Sequence, residues 1–267
     1  VTRTEETTES ERRDKGTPSI LGRALEGMTR GANPEVVVPL AMCLTLLALA
    51  ATVPYLQYLL ETAVVRGMLG LETASNVFVT DLLLLALLLF LSSLVGLSFA
   101  PRYRLPGLGL TKQIVRDLPL LVLGGLTLAA VSFVLFDRYF YSVSPGSYPI
   151  SPLMLVSLPL KGALADEIIL RLGILTLAVG LLRHRGAGVI LTAALAALMS
   201  LRYFQFLGMS LGVNYIMIAH LSLSFAGNLA LGYLYVHRGL AHAMILKVIY
   251  GCRYLAVALI LAGGVTG

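Results

Sequence analysis

The sequence predicts an all-α polytopic membrane protein, a transmembrane bundle of about seven spans with a polar site buried between the last four. Three observations carry that prediction. The 267 residues have a mean hydropathy of +0.86, and only 13% are charged, against about 25% in an ordinary soluble domain. Seven apolar runs each reach the roughly 20 residues that a helix needs to cross a hydrocarbon core. Ionisable residues recur inside the last four of those runs as well as between them.

Residues 1–18 are polar and mixed in charge and read as a disordered tail. The following "SILGRALEGMTRG" sets Ile20, Leu21, Ala24, Leu25 and Met28 on one face. That pattern fits a short helix on a membrane surface or a solvated tail helix. Spans are expected at 36–60, 77–100, 118–136, 152–182, 187–208, 214–236 and 240–263. The fourth is too long for one straight crossing. Pro152 and Pro159 point to a separate half-helix over 152–164 or a kinked, tilted start. Asp81 is expected to open the second span, and Tyr139, Tyr141 and Tyr148 to anchor the outer end of the third loop. Cys43 and Cys252 read as buried thiols. The chain divides into a polar tail (1–33), N-terminal membrane helices (34–150) and a core (151–267).

The formal net charge is +6, but the basic residues are scattered through short connections. That distribution reads as membrane orientation and excludes nucleic acid as a partner. Every second connection is basic: the tail, then Arg102, Arg104, Lys112 and Arg116, then Arg183 and Arg185, then Arg238. The opposite side carries only Arg66 and Arg138. The expected topology therefore has a cytoplasmic N-terminus, an external C-terminus and a location in the cell membrane.

At about 1.5 Å per helical residue, Asp166, Glu167, Arg171, Arg202, His220 and Arg253 come out roughly 18–25 Å from the cytoplasmic ends of their spans. Charges at that depth usually face a bundle interior or a wet cavity. Glu167 and Arg171 are four apart, in the favourable order for an ion pair. Asp166 lies about 100° round the helix, free to face another partner such as Arg202. His220, Ser224, Gly227 and Asn228 form a narrow polar stripe, which makes His220 and Asn228 candidate ligand-binding residues with Arg253. Lys247 and Arg253 point about 120° apart and are expected to serve different surroundings. Lys161, Arg171, Arg202, Lys247 and Arg253 face two carboxylates, Asp166 and Glu167, so the layer is expected to call for an added anion. Asp166, Glu167 and His220 are the one set with metal-ligand chemistry, and two neighbouring arginines would repel an ion. Zinc or another divalent metal is not expected, and no cofactor is assigned.

"DEIILRLGIL" resembles the EExxxR motif of the CPBP intramembrane proteases, the family of type II CAAX prenyl endopeptidases and bacteriocin-processing Abi proteins. "FAGNLALGYLYVHRGLAHAMILKVIYG" is similar to that family's last two core helices, so the resemblance covers roughly residues 150–262. It implies that Asp166 stands for the general base, that Glu167 is its neighbour and that Arg171 holds Glu167. It also implies histidines of FxxxH and HxxxN/D motifs, with a metal in some accounts. This chain departs there. Arg202 or Tyr203 stands where the first histidine is expected, Lys247 where the second is, and Gly251 in place of the Asn or Asp. Arginine stabilises an oxyanion but does not act as a base, whereas a desolvated lysine is able to do acid–base work.

Three functions fit these residues. The first is an intramembrane endopeptidase of the CAAX-processing type, acting on lipidated or membrane-bound peptides through Asp166, Glu167, Arg171, Arg202 and Lys247. The second is a catalytically degenerate family member, a subunit or scaffold whose charges form a buried network and which binds anionic lipid or another membrane subunit. The third is a small transporter or channel with a charged path at mid-membrane.

Overall fold

A computed structural model describes residues 33–65, 67, 70–143, 148, 151–206 and 215–262; of Arg202 it describes the backbone alone. The tail, and the short helix expected within it, lie outside the described residues. Among these residues all regular structure is helical, in seven runs. They are α1 (Pro34–Val65), α2 (Leu71–Phe99), α3 (113–143), α4 (152–182), α5 (Arg185–Phe206), α6 (Tyr215–Arg238) and α7 (240–262). Five helices are long and apolar enough to cross a membrane: Pro34–Val65, Glu72–Phe99, Gln113–Ser142, Met217–Arg238 and Leu240–Ile260. The outward surface is as apolar as the interior. Leu46, Leu83, Leu120 and Leu181 are 64%, 64%, 72% and 83% exposed, which in water would be an aggregation surface and in lipid is a solvent match.

Three boundaries differ from the sequence reading. α2 begins at Leu71 instead of residue 77, so Asp81 lies inside the helix and exposed, and does not open it. α3 runs on past residue 136 through a π-helical turn, Phe133–Asp137, into Arg138–Val143. α4 is one continuous helical run with no separate half-helix. Pro159 is carried inside Pro152–Lys161, and the run then widens through two π-helical stretches, Gly162–Asp166 and Ile168–Leu175. Such turns bond i to i+5 and admit an extra residue without ending the helix. The thiols of Cys43 and Cys252 are exposed on the bundle surface and not buried; as small apolar groups they suit a lipid-facing position as well as a core.

α4 is the hub. It packs against α1, α2, α5, α6 and α7, and its Ile168, Leu172 and Leu175 are fully buried with Leu89, Tyr235 and Leu240 in the largest apolar cluster. Small residues let the helices approach this closely. A Cβ on Gly96 would stand 2.7 Å from the Leu172 carbonyl carbon, and one on Gly251 would stand 2.7 Å from the Pro159 Cα.

The loop between α2 and α3 reaches back to α7. The amides of Leu240 and Ala241 donate to the carbonyls of Gly107 and Leu108, each at 2.9 Å, satisfying two orphan donors of the helix start. Gly109 and Gly239 have φ of +62° and +99°. A side chain at either position would meet the other's backbone, so glycine is required twice over.

Candidate functional site: a divided polar layer

The ionisable residues of the core helices resolve into separate groups, each built by the local geometry of its helix. The innermost joins α4 to α6. Arg171 donates from Nε to Glu167 Oε2 at 3.1 Å and from Nη2 to Asn228 Oδ1 at 2.5 Å. Neither Glu167 nor Arg171 has any exposed surface. The Asn228 amide is in turn fixed by donating to the Ser224 carbonyl at 2.8 Å, one helical turn back along the stripe. Glu167 Oε1 and Arg171 Nη1 are buried with no hydrogen-bond partner among the described residues. A column of further hydrogen bonds continues below, with Thr176 Oγ1 2.6 Å from the Tyr235 hydroxyl.

The second group belongs to α4 and its flanks. Lys161 Nζ lies 2.9 Å from Asp166 Oδ1, and the two side chains are 27% and 36% exposed. Residues five apart on an α-helix point about 140° away from each other. The π turn over Gly162–Asp166 is what brings this pair onto one face. The Lys161 ammonium also lies 5.4 Å from the Tyr55 ring centroid on α1. Lys247 of α7 comes in from the other side: a Cβ on Gly162 would find Lys247 Cε at 3.6 Å and Asp166 Oδ2 at 3.8 Å. Among the described residues no carboxylate lies within 4.0 Å of the Lys247 amine.

Arg253 belongs to a third group, joining α7 to α3. Its Nη1 donates to Ser132 Oγ and to both oxygens of Asp137, at 3.2 and 3.3 Å. Tyr148 donates its hydroxyl to the same carboxylate at 2.9 Å, and the Tyr250 and Tyr254 rings lie 4.7 and 4.9 Å from the guanidinium. Tyr148 is therefore a buried hydrogen-bond donor, 5% exposed, where the sequence reading had an interface anchor. His220 stands edge-on to Phe136 at 5.4 Å and to Phe140 at 6.5 Å, in an aromatic cluster that also takes in Val257. His220 and Arg253 thus pack with α3, and Tyr254, which accepts a hydrogen bond from Arg253, also interacts electrostatically with Lys161, so the second and third groups adjoin.

No protein-family model, curated protein or solved structure matches the chain. What the site can do is therefore argued from the geometry alone. The i,i+4 pair of Glu167 and Arg171 is sealed from water, which leaves Glu167 no route to a hydrolytic water. Asp166 is part-exposed, and its carboxylate is paired with the Lys161 ammonium at 2.9 Å. Among the described residues no three His, Cys, Asp or Glu side chains gather to hold a metal ion; His220, the third member of the one candidate set, sits on the phenylalanines. The side chain of Arg202 lies outside the described residues.

Two residues escaped the sequence reading. Asp137 was cut off by ending the third span at residue 136, one position short. Asp117 escaped because it opens that span among basic neighbours. It lies 3.4 Å from Arg238, 3.6 Å from Arg116 and 3.5 Å from the buried His242, joining the starts of α3 and α7. The one available signal was that α3 carries an acid near each end.

Proposed function

We propose that the chain is a non-hydrolytic membrane subunit of the CPBP type, in which the acidic motif has become a charge network that joins helices. In this reading the chain crosses the membrane seven times, with a cytoplasmic N-terminus. α4 and α5 complete the five apolar spans, α4 carrying Glu167 and Arg171 inward. The observation that carries the proposal is the Glu167–Arg171–Asn228 network, which has both ionised partners at zero exposure and ties α4 to α6. Supporting it, Asp166 is paired with Lys161, and Lys247 stands where the resemblance implies a histidine.

The test sets the parent protein and Asp166→Asn in proteoliposomes with a prenylated CAAX peptide and with a plain transmembrane peptide. Neither substrate is expected to be cut by either protein. Cleavage by the parent that Asp166→Asn abolishes would overturn the proposal and restore the endopeptidase. The specific support for that second reading is the 36% exposure of Asp166 next to an amine that would steady an oxyanion.

A further inference from the structure

The contacts between connections gather basic residues at one end of the bundle. The α2–α3 connection packs Gly109 against Gly239 of the α6–α7 turn. It also meets the α4–α5 turn, where Arg185 Nη2 donates to the Arg104 carbonyl at 2.6 Å. Two groups of cations result. Lys112, Arg116 and Arg238 lie around the start of α3, where Arg116 and Arg238 share the Asp117 carboxylate. Glu35, which opens α1, stands at the same end, because α1 and α2 pack side by side across a short connection.

The other group is Arg102, Arg104, Arg183 and Arg185, all exposed. Tyr103, between the first two, takes the place of a side chain at Gly180: a Cβ there would overlap its ring. Gly180 lies three residues before Arg183, so the four arginines belong to one junction. Arg102 lies 5.1 Å from the Phe99 ring centroid. Among the described residues no carboxylate lies within 4.0 Å of any of the four guanidinium groups.

Basic connections by themselves orient a membrane protein. Two features of this junction go further. Arg104 and Arg183 have φ of +55° and +52°, and among the described residues they are the two positions other than glycine in the left-handed region. Glycine or asparagine is the usual occupant there, since a Cβ is crowded. An arginine at both positions keeps a cation in place against the preference of the backbone. The adjoining bundle surface is also apolar. Leu181 and Leu182, just before Arg183, are 83% and 47% exposed, and Ile190, five residues past Arg185, is 57% exposed.

These features select a ligand chemistry. Guanidinium groups without carboxylates suit a phosphate, whose oxygens accept the paired N–H donors of arginine. The ends of membrane-crossing helices lie at headgroup depth, with hydrocarbon beside the turn below. We propose that the junction of the α2–α3 and α4–α5 connections binds an anionic phospholipid, its phosphate on the arginines and an acyl chain along Leu181 and Leu182. The site is separate from the polar layer between the core helices, and the proposal holds whether or not the acidic motif hydrolyses a peptide.

The probes are dioleoyl phosphatidylglycerol and dioleoyl phosphatidylcholine, each titrated into the full chain in maltoside micelles, with bound lipid counted by native mass spectrometry. Phosphatidylglycerol is expected to bind at least about tenfold more tightly. Arg104→Gly with Arg183→Gly is expected to lose at least about tenfold of that affinity. Its unfolding midpoint should hold or rise, because glycine accepts the left-handed backbone. Lysine at the same two positions keeps the charge without the fork and should recover part of the affinity. Lys112→Gln with Arg116→Gln removes the same charge from the same end and should change the affinity by less than about twofold. Arg102→Gln, at a position without left-handed backbone, should weaken binding by about threefold.

Equal affinity for the two lipids overturns the site. So does an equal loss in the two double variants, which would reduce the preference to the general positive charge of this end. Displacement of phosphatidylglycerol by inorganic phosphate at equal concentration would make the ligand a soluble anion, and overturns the lipid. Where the glycine pair does not fold, unchanged binding by Arg102→Gln overturns the site on its own.

Discussion

Lys161 and Asp166 meet at 2.9 Å across a π-helical turn, while Glu167, the next residue and about 100° further round the helix, is locked to Arg171 inside the bundle. Two adjacent carboxylates thus have separate partners and separate surroundings. Their mutational responses are expected to separate as sharply.

Replacing one member of the sealed pair leaves the other charge buried and alone, a loss of about 3–5 kcal/mol. Glu167→Gln and Arg171→Met should each unfold at clearly lower denaturant in mixed micelles. The double variant should lose less than the sum of the two. Additive losses would show that the pair is not coupled.

The half-exposed pair should matter far less. Where water reaches the pair through its part-exposed surface, a double-mutant cycle of Lys161→Met and Asp166→Asn is expected to give a coupling of up to about 1 kcal/mol. A coupling as large as that of Glu167 and Arg171 would mean that lipid or protein seals the site.

Asn228 donates nothing to Arg171 but receives its Nη2 hydrogen bond. Asn228→Leu removes that acceptor, at a cost of about 1.5–3 kcal/mol for a hydrogen bond to a charged group. Asn228→Asp supplies a second carboxylate and should be better tolerated. Thermal unfolding of the two variants side by side decides the point.

The strut between α3 and α7 offers a graded series. Tyr148→Phe removes one donor from the Asp137 carboxylate, whereas Asp137→Asn takes the charge from both Asp137 bonds to Arg253. The second loss should exceed the first, as read by hydrogen exchange of the α7 amides. Equal losses would mean that Arg253 is held by its tyrosines.

Two glycines give a packing contrast. Gly96→Ala must force α2 away from the Leu172 backbone and should lower the unfolding midpoint markedly. Gly227→Ala meets nothing within 4 Å, and should be neutral or stabilising by up to about 1 kcal/mol through helix propensity.

Much of the helical layout was legible, because long apolar runs have few ways to exist. The Glu167–Arg171 pair was legible too, since its spacing of four is a helical turn. Lys161 with Asp166 was not: at a spacing of five the α-helical wheel drives the two apart, and nothing in "KGALAD" announces a π turn. Asp137 was missed through the placing of a single boundary. Depth alone put His220 beside the carboxylates, but depth does not fix which way a side chain points around its helix, and the phenylalanines of α3 claim it. Asn228 was read as part of a polar stripe, yet its partner on α4 follows only from how α4 and α6 are packed.

The carbonyls of Gly107 and Leu108 that cap α7 also set an order of assembly. They are synthesised well before the helix they receive, so the dock for its first turn leaves the ribosome ahead of the helix itself. α7 follows α1 to α6 in chain order and brings Lys247 and Arg253 with it. Until that moment the carboxylates of Asp166 and Asp137 differ sharply: the first already has Lys161 within its own helix, while the second waits for Arg253.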